Sequence, residues 1–299
     1  VSLRQDGCRI LSSYRFYSSY IVCMKRLLPL LILLAFVFLC WLSIEHDVAE
    51  VSYEVTALDI PYGTSARQQI DAYLPANRNE HTPLLIMFHG GGWIIGDRKD
   101  NAHIARALLK QGIASVSVGY RLVDTIANIA APQVSEDVRA GVAKALSLRS
   151  EWGIANGKLG LFGISAGGHL SLLYAYAYDS LHQVNQVIAY AGPSNLQAPK
   201  LLAHPIMAQL VHQYLPKFCE DSLDVMNWSP AKYVNANSPR TILIHGLRDT
   251  TVDPSQSISL DSLLRVNKVS SRLVMLDSVG HSIDNRTLGV VIHLVADAM

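Results

Sequence analysis

The chain has 299 residues, half of them hydrophobic and only 16% charged, which supports a sizeable buried core and excludes global disorder. A formal net charge of +1, with no long run of either sign, gives a polyanion nothing to hold and argues against a nucleic-acid partner. Three of the four cysteines (Cys8, Cys23, Cys40) lie in the first 40 residues, so the remainder, with Cys219 alone, cannot cross-link itself, and no Cys/His cluster at zinc spacing suggests a metal.

The first predicted element is a membrane or export segment. Met24-Lys25-Arg26 precedes the uncharged run "LLPLLILLAFVFLCWLSI" over 27–44, near the lower limit for spanning a bilayer and long for the core of a signal peptide. The leading basic pair puts residue 24 on the cytoplasmic side and residue 45 onward outside. The expected location is therefore the cell envelope. The chain is either anchored in the cytoplasmic membrane with its body outside, or exported to the periplasm if the segment is cleaved. Residues 1–23 have mixed polarity and no periodicity. They are expected to be a disordered extension, or to lie upstream of a natural start at Met24.

From residue 50 the pattern changes. "VSYEVTAL" (51–58) alternates, and "QQIDAYL" (68–74) reads as its hairpin partner. Six short apolar runs of strand length follow, at 84–88, 114–120, 159–164, 187–191, 241–245 and 272–276. Helical patterns separate them, at about 101–110, 134–150, 167–178, 255–266 and 287–298. In the second, Val134, Val138, Val142 and Leu146 repeat on one face. Strand and helix in alternation predict an α/β fold: a mostly parallel eight-stranded sheet with helices on both faces and an antiparallel edge at the start. Ligands bind such sheets beyond the carboxyl ends of the strands, so the residues directly after each apolar run are the candidates for function.

Three strand ends stand out. The run 159–164 leads into Gly163-Ile164-Ser165-Ala166-Gly167 and then a helix, which is G-x-S-x-G in the strand–turn–helix context that exposes a serine nucleophile. The run 241–245 leads into "GLRDTTVDP", where Asp249 is the first carboxylate able to orient a histidine and Asp253 the second. The run 272–276 leads into "DSVGHSI" with His281. The order Ser165, Asp249, His281 is that of a Ser–Asp–His hydrolase. Of the other histidines, His169 lies on the helix after the serine and His245 ends a strand; both have weaker claims.

A fourth strand end carries "HGGGW" (89–93). Glycine is costly to order, so three in a row call for a reason. A serine hydrolase needs two backbone N–H donors for the oxyanion of its tetrahedral intermediate. One comes from the residue after the nucleophile, here Ala166. The other comes from the loop after the third strand, where Gly91 and Gly92 are the candidates because side chains there would block close approach. Trp93 is a candidate for the substrate pocket.

These pieces resemble the α/β-hydrolase superfamily. The resemblance is to its HGGG-type esterases, in the carboxylesterase and feruloyl-esterase-like branch near the isoprenylcysteine methylesterase-like and kynurenine formamidase-like enzymes. "DAYLP", "HGGGW", "VGYRL", "GISAGGHL", "YAGPSNL", "TILIHGLRDTTV" and "GH" occur in order from about residue 51 to the C-terminus. "HGGGW" together with "GISAGGHL" is the specific pair. The resemblance implies a Ser165–His281–Asp249 triad, an oxyanion hole at Gly91, Gly92 and Ala166, and two-step acyl transfer to water without a metal or organic cofactor. The chain departs from the pattern at "LVDTIANIAAPQ", which lacks the "FP" before the helix and so bears on pocket shape.

The segment 193–228 is rich in Leu, Met and aromatics and falls where such folds insert a cap. It is expected to be either a lid forming an apolar pocket or a pair of surface helices packed on the sheet. The leading expectation for function is a serine esterase acting on small to medium, partly apolar esters. An amidase or formamidase shares the acyl-enzyme chemistry. An inactive hydrolase domain used as a binding module is the reading from another class. The substrate and the oligomeric state are not encoded in any motif.

Overall fold

The computed structural model describes residues 52–214 and 225–299. The expected membrane segment 27–44 and part of the expected cap, 215–224, lie outside the described residues. Among those described, no helix is long and apolar enough to cross a membrane. The chain divides into two units, Val1–Val48 and Ala49–Met299.

The centre of the second unit is one eight-stranded sheet. The strands are β1 (Val55–Pro61), β2 (Gln69–Leu74), β3 (Leu84–Phe88), β4 (Ala114–Val118), β5 (Leu159–Ile164), β6 (Gln186–Tyr190), β7 (Arg240–Gly246) and β8 (Ser271–Leu276). They stand in the order β1-β2-β4-β3-β5-β6-β7-β8. β2 pairs antiparallel with both β1 and β4, and every later pairing is parallel. The alternating first two strands thus make the antiparallel edge that their pattern predicts. β3, β4 and β6 are buried along their whole length, which is why they read as unbroken apolar runs.

Five long helices cover the two faces, which form separate apolar cores. Helices α2 (Ala131–Ser147), α3 (Ala166–Leu173) and α6 (Ser255–Val266) pack on one face, through residues such as Val134, Val138, Val142, Leu170 and Leu260. Helices α1 (Ala102–Leu109) and α7 (Asn285–Ala298) pack on the other, through Ile104, Leu108, Val291 and Val295. Two short helices, α4 (Pro199–Leu202) and α5 (Pro205–Gln209), belong to the cap segment.

Two helix boundaries differ from the sequence expectation. α2 begins earlier than residue 134, because Pro132 suits the first turn of a helix and the Ala130 N–H is capped by Gln133 Oε1 at 3.0 Å. The helix after the serine changes to π geometry over Tyr174–Tyr178 instead of running through as one α-helix. There the Tyr176 hydroxyl bonds Thr241 Oγ1 at 2.7 Å, which ties the wide turn to the foot of β7.

Candidate active site

A sharp turn lies between β5 and α3. Ser165 has φ 55° and ψ −120°, a conformation that non-glycine residues rarely hold. Its N–H donates to the Tyr190 carbonyl at 2.8 Å, anchoring the turn to β6. Strand and helix nearly collide here. A Cβ on Gly163 would meet the Gly167 backbone at 2.2 Å, and one on Gly167 would meet the Phe88 carbonyl oxygen at 2.1 Å. This is why the motif needs glycine two residues before and two after the serine.

His281 comes from the loop after β8 and reaches Ser165. Its Nε2 lies 2.9 Å from Ser165 Oγ, and its Nδ1 lies 2.7 Å from Asp249 Oδ2. Because a carboxylate only accepts, Nδ1 carries the proton and Nε2 is left to accept from the serine hydroxyl. The Asp249 carboxylate is buried and accepts at both oxygens. Oδ1 takes the N–H groups of Thr251 and Val252, each at 2.9 Å. Oδ2 takes His281 and also faces His245 Nε2 at 3.2 Å. Burial by itself pushes the Asp249 pKa up. The hydrogen bonds from His245 and His281 more than reverse this and hold the carboxyl well below the ordinary range, so it is ionised at neutral pH.

His245 is the partner that sequence reasoning did not place. It is buried at the end of β7, with Nε2 also 2.8 Å from the Val252 carbonyl and Nδ1 2.7 Å from Ser257 Oγ. Two oxygen acceptors at Nε2 fix the proton there. Its position four residues before Asp249 is the only signal the sequence holds. Asp253, the alternative carboxylate, instead accepts from Ser255 N at 2.9 Å just before α6, and none of its hydrogen bonds reaches His281.

The glycine loop lies across from the serine. Gly91 and Gly92 have φ of 108° and 56°. A Cβ on Gly91 would stand 2.2 Å from the Ile95 carbonyl oxygen. Among the described residues, the N–H groups of Gly91 and Gly92 enter no backbone hydrogen bond, and that of Ala166 opens α3, where a helix leaves its first donors free. Three open donors therefore come from the two elements that flank Ser165.

A cavity of about 870 Å³ opens over this arrangement, lined by Gly90, Gly91, Gly92, Ser165 and His281. One wall is apolar and comes from the cap segment: Ile206, Met207 and Leu210. Another comes from Ile283 and Leu288 at the start of α7, and Asp100, Asn101 and His103 also line the space. Trp93 corrects the sequence expectation: it does not line this cavity. Its side chain is buried on the far side of the loop, packed with Val123, Val134 and Trp228. With φ at 63° the chain has already turned away from the cavity at this residue, carrying the indole into the core.

Fold and side-chain arrangement together define an α/β-hydrolase. The BD-FAE family model matches residues 70–264, and the chain belongs to this family. It is 27% identical to the kynurenine formamidase of Danio rerio over 60% of this chain and 57% of that one. It is 26% identical to a probable isoprenylcysteine alpha-carbonyl methylesterase of Oryza sativa subsp. japonica over 75% and 56%, and 25% identical to esterase LipC of Mycobacterium tuberculosis over 79% and 62%. The chain thus spans rather more than half the length of these relatives. Among solved structures, esterase B of Lactobacillus rhamnosis superposes with a TM-score of 0.69 at 23% identity, covering 89% of this chain and 94% of that one. An esterase of Thermogutta terrifontis superposes with a TM-score of 0.65 at 18% identity, covering 82% and 91%. Both share the fold.

Proposed function

We propose that this protein is a serine hydrolase that cleaves carboxylic esters of small to medium, partly apolar substrates through an acyl-enzyme. The observation that carries the reading is the continuous Ser165–His281–Asp249 chain of hydrogen bonds, at 2.9 and 2.7 Å, opening into a cavity beside the Gly91 and Gly92 N–H groups. Ser165 Oγ attacks the ester carbonyl as His281 Nε2 takes its proton. The carbonyl π pair moves to oxygen, which sits on the N–H groups of Gly91, Gly92 and Ala166. Each such donor contributes about 3–4 kcal/mol of transition-state stabilisation where it has been measured. The protonated His281 gives its proton to the departing alkoxide. Water, deprotonated by the same histidine, then releases the acid. Asp249 holds the imidazole tautomer and stabilises the imidazolium.

The apolar cap wall fits an acyl or alcohol group of modest size. An amide or formamide substrate is the second reading, favoured by the similarity to a kynurenine formamidase. A matched panel of acyl esters and amides tests the choice. Hydrolysis of the esters at least tenfold faster, as kcat/KM, supports the esterase, and the reverse order supports the amidase. Hydrolysis of neither class would support an inactive binding domain. Location follows from the run 27–44 behind Lys25-Arg26. The hydrolase domain is held outside the cytoplasmic membrane by this segment, or released if it is cleaved. Deleting residues 1–45 is expected to give a soluble, active enzyme. Protease accessibility in spheroplasts checks the side of the membrane, and carbonate washing checks the anchor.

A further inference from the structure

The glycine loop has a back as well as a front. Gly91, Gly92 and Trp93 all have positive φ, at 108°, 56° and 63°. For a bulky L-residue such as Trp93 that conformation is a genuine outlier, which the surroundings must over-determine if it is to persist. The indole supplies the hold. It is 2% exposed, and its Nε1–H points to His169 Nδ1 at 3.3 Å, with the two rings edge to face at 5.0 Å. His169 sits one turn after Ser165 on α3, and its own N–H bonds the Ser165 carbonyl at 3.0 Å. On its other side His169 Nε2 lies 2.6 Å from the Trp228 carbonyl. A carbonyl only accepts, so Nε2 carries the proton and Nδ1 is a bare acceptor facing the indole N–H. The two motifs that form the specific pair in the sequence, "HGGGW" and "GISAGGHL", are therefore joined by their last polar groups.

We propose that Trp93 and His169 are positioning residues: their hydrogen bond locks the Gly91–Gly92 donors against the helix that carries Ser165. Neither side chain lines the cavity, so each acts through the loop and the helix it holds. The inference rests on reading Gly91 and Gly92 as oxyanion donors. Its physical content is that the donors must stay aimed at a charge that exists only in the transition state. Loosening the lock should then lower kcat while leaving ground-state binding nearly unchanged.

The test exploits the two nitrogens of His169. Asparagine places an oxygen near the position of Nδ1 and keeps the acceptor for Trp93. Glutamine reaches the position of Nε2 and keeps only the donor for Trp228. Each variant is titrated to completion with a fluorophosphonate, and kcat is expressed per titrated site, so that unfolded protein drops out. His169→Gln and Trp93→Phe are expected to lose kcat about 10- to 100-fold, less than the loss of a whole donor, with KM changing by under about threefold. His169→Asn should keep kcat within about threefold of wild type. The double variant Trp93→Phe with His169→Gln should be no worse than either alone, because both break one bond. Equal losses in His169→Asn and His169→Gln would overturn the proposal, as would a Trp93→Phe enzyme with wild-type kcat. If Trp93→Phe does not fold, the His169 pair decides alone. Failure of the underlying reading looks different: activity surviving Ser165→Ala would remove the nucleophile, and wild-type kcat in Gly91→Ala would remove the oxyanion donors.

Discussion

The two sides of the loop after β3 are built on opposite principles. The front, facing Ser165, consists of glycines whose backbone must come close to other groups, and any Cβ on Gly91 would strike the Ile95 carbonyl. The back consists of some of the largest side chains in the protein, Trp93, Trp228 and Tyr120, packed around histidines that touch no carboxylate. His89 stacks on Tyr120 at 4.1 Å, and burial lowers its pKa. His169 is fully enclosed, and burial lowers its pKa to about 4. At the front, by contrast, the histidine at the serine is partly exposed and bonds an ionised carboxylate. Reactive geometry at the front needs empty space and charge. The rigidity that keeps it there comes from dense, neutral packing behind.

That contrast ranks the expected effects. Ser165→Ala removes the nucleophile and should cut ester hydrolysis by roughly 10⁴-fold or more without unfolding the protein, read as kcat/KM beside a thermal melt. Asp249→Asn should cost on the order of 10³- to 10⁴-fold in kcat, because an amide can donate to His281 and stabilise the wrong tautomer. Asp253→Asn should change kcat little; equal losses at the two positions would remove the distinction between them. Gly91→Ala should cost on the order of 10²- to 10³-fold, the scale of a lost oxyanion donor.

The back of the loop should show itself in stability as well as in rate. The buried His169 stays neutral down to about pH 4, whereas in the unfolded chain it takes up a proton near pH 6.5. Between these values the unfolded state binds one proton more than the native state, so stability falls as pH falls. Its share is about 1.4 kcal/mol per pH unit, or on the order of 3 kcal/mol across the window. Above pH 6.5 it contributes no slope. Urea unfolding of wild type and His169→Asn between pH 4 and 7 should show the slope in the first and a flatter dependence in the second. Among the residues that shape the site, the smallest effect should come from the cap. Leu210 lies 5% exposed, against Gly92, and Leu210→Ala should change KM for longer acyl chains by about 3- to 10-fold with little change in kcat for acetate esters.

The sheet was legible in the sequence because its strands are either alternating or continuously apolar, and seven of the eight match their runs to within a residue or two at each end. Ser165, Asp249 and His281 were legible for a related reason: each lies within five residues of the end of a strand, and topology then brings the strand ends together. Trp93 was misread because a motif does not state which side of a loop a residue faces; the positive φ that turns it inward has no signature in residue type. His245 was passed over because a buried histidine closing a strand looks structural until the fold sets it against Asp249. The cavity walls, Ile206, Met207, Leu210 and Leu288, come from segments far apart in the chain, so local periodicity marks them only as apolar.

The central claim is that Ser165 is a nucleophile activated through His281. Stoichiometric labelling with a fluorophosphonate, followed by peptide mass spectrometry, tests it most directly. The account predicts a single adduct on the peptide that contains Ser165, formed in step with loss of hydrolysis and abolished in Ser165→Ala. Full hydrolytic activity without an adduct at Ser165, or inactivation by an adduct on another residue, would contradict it.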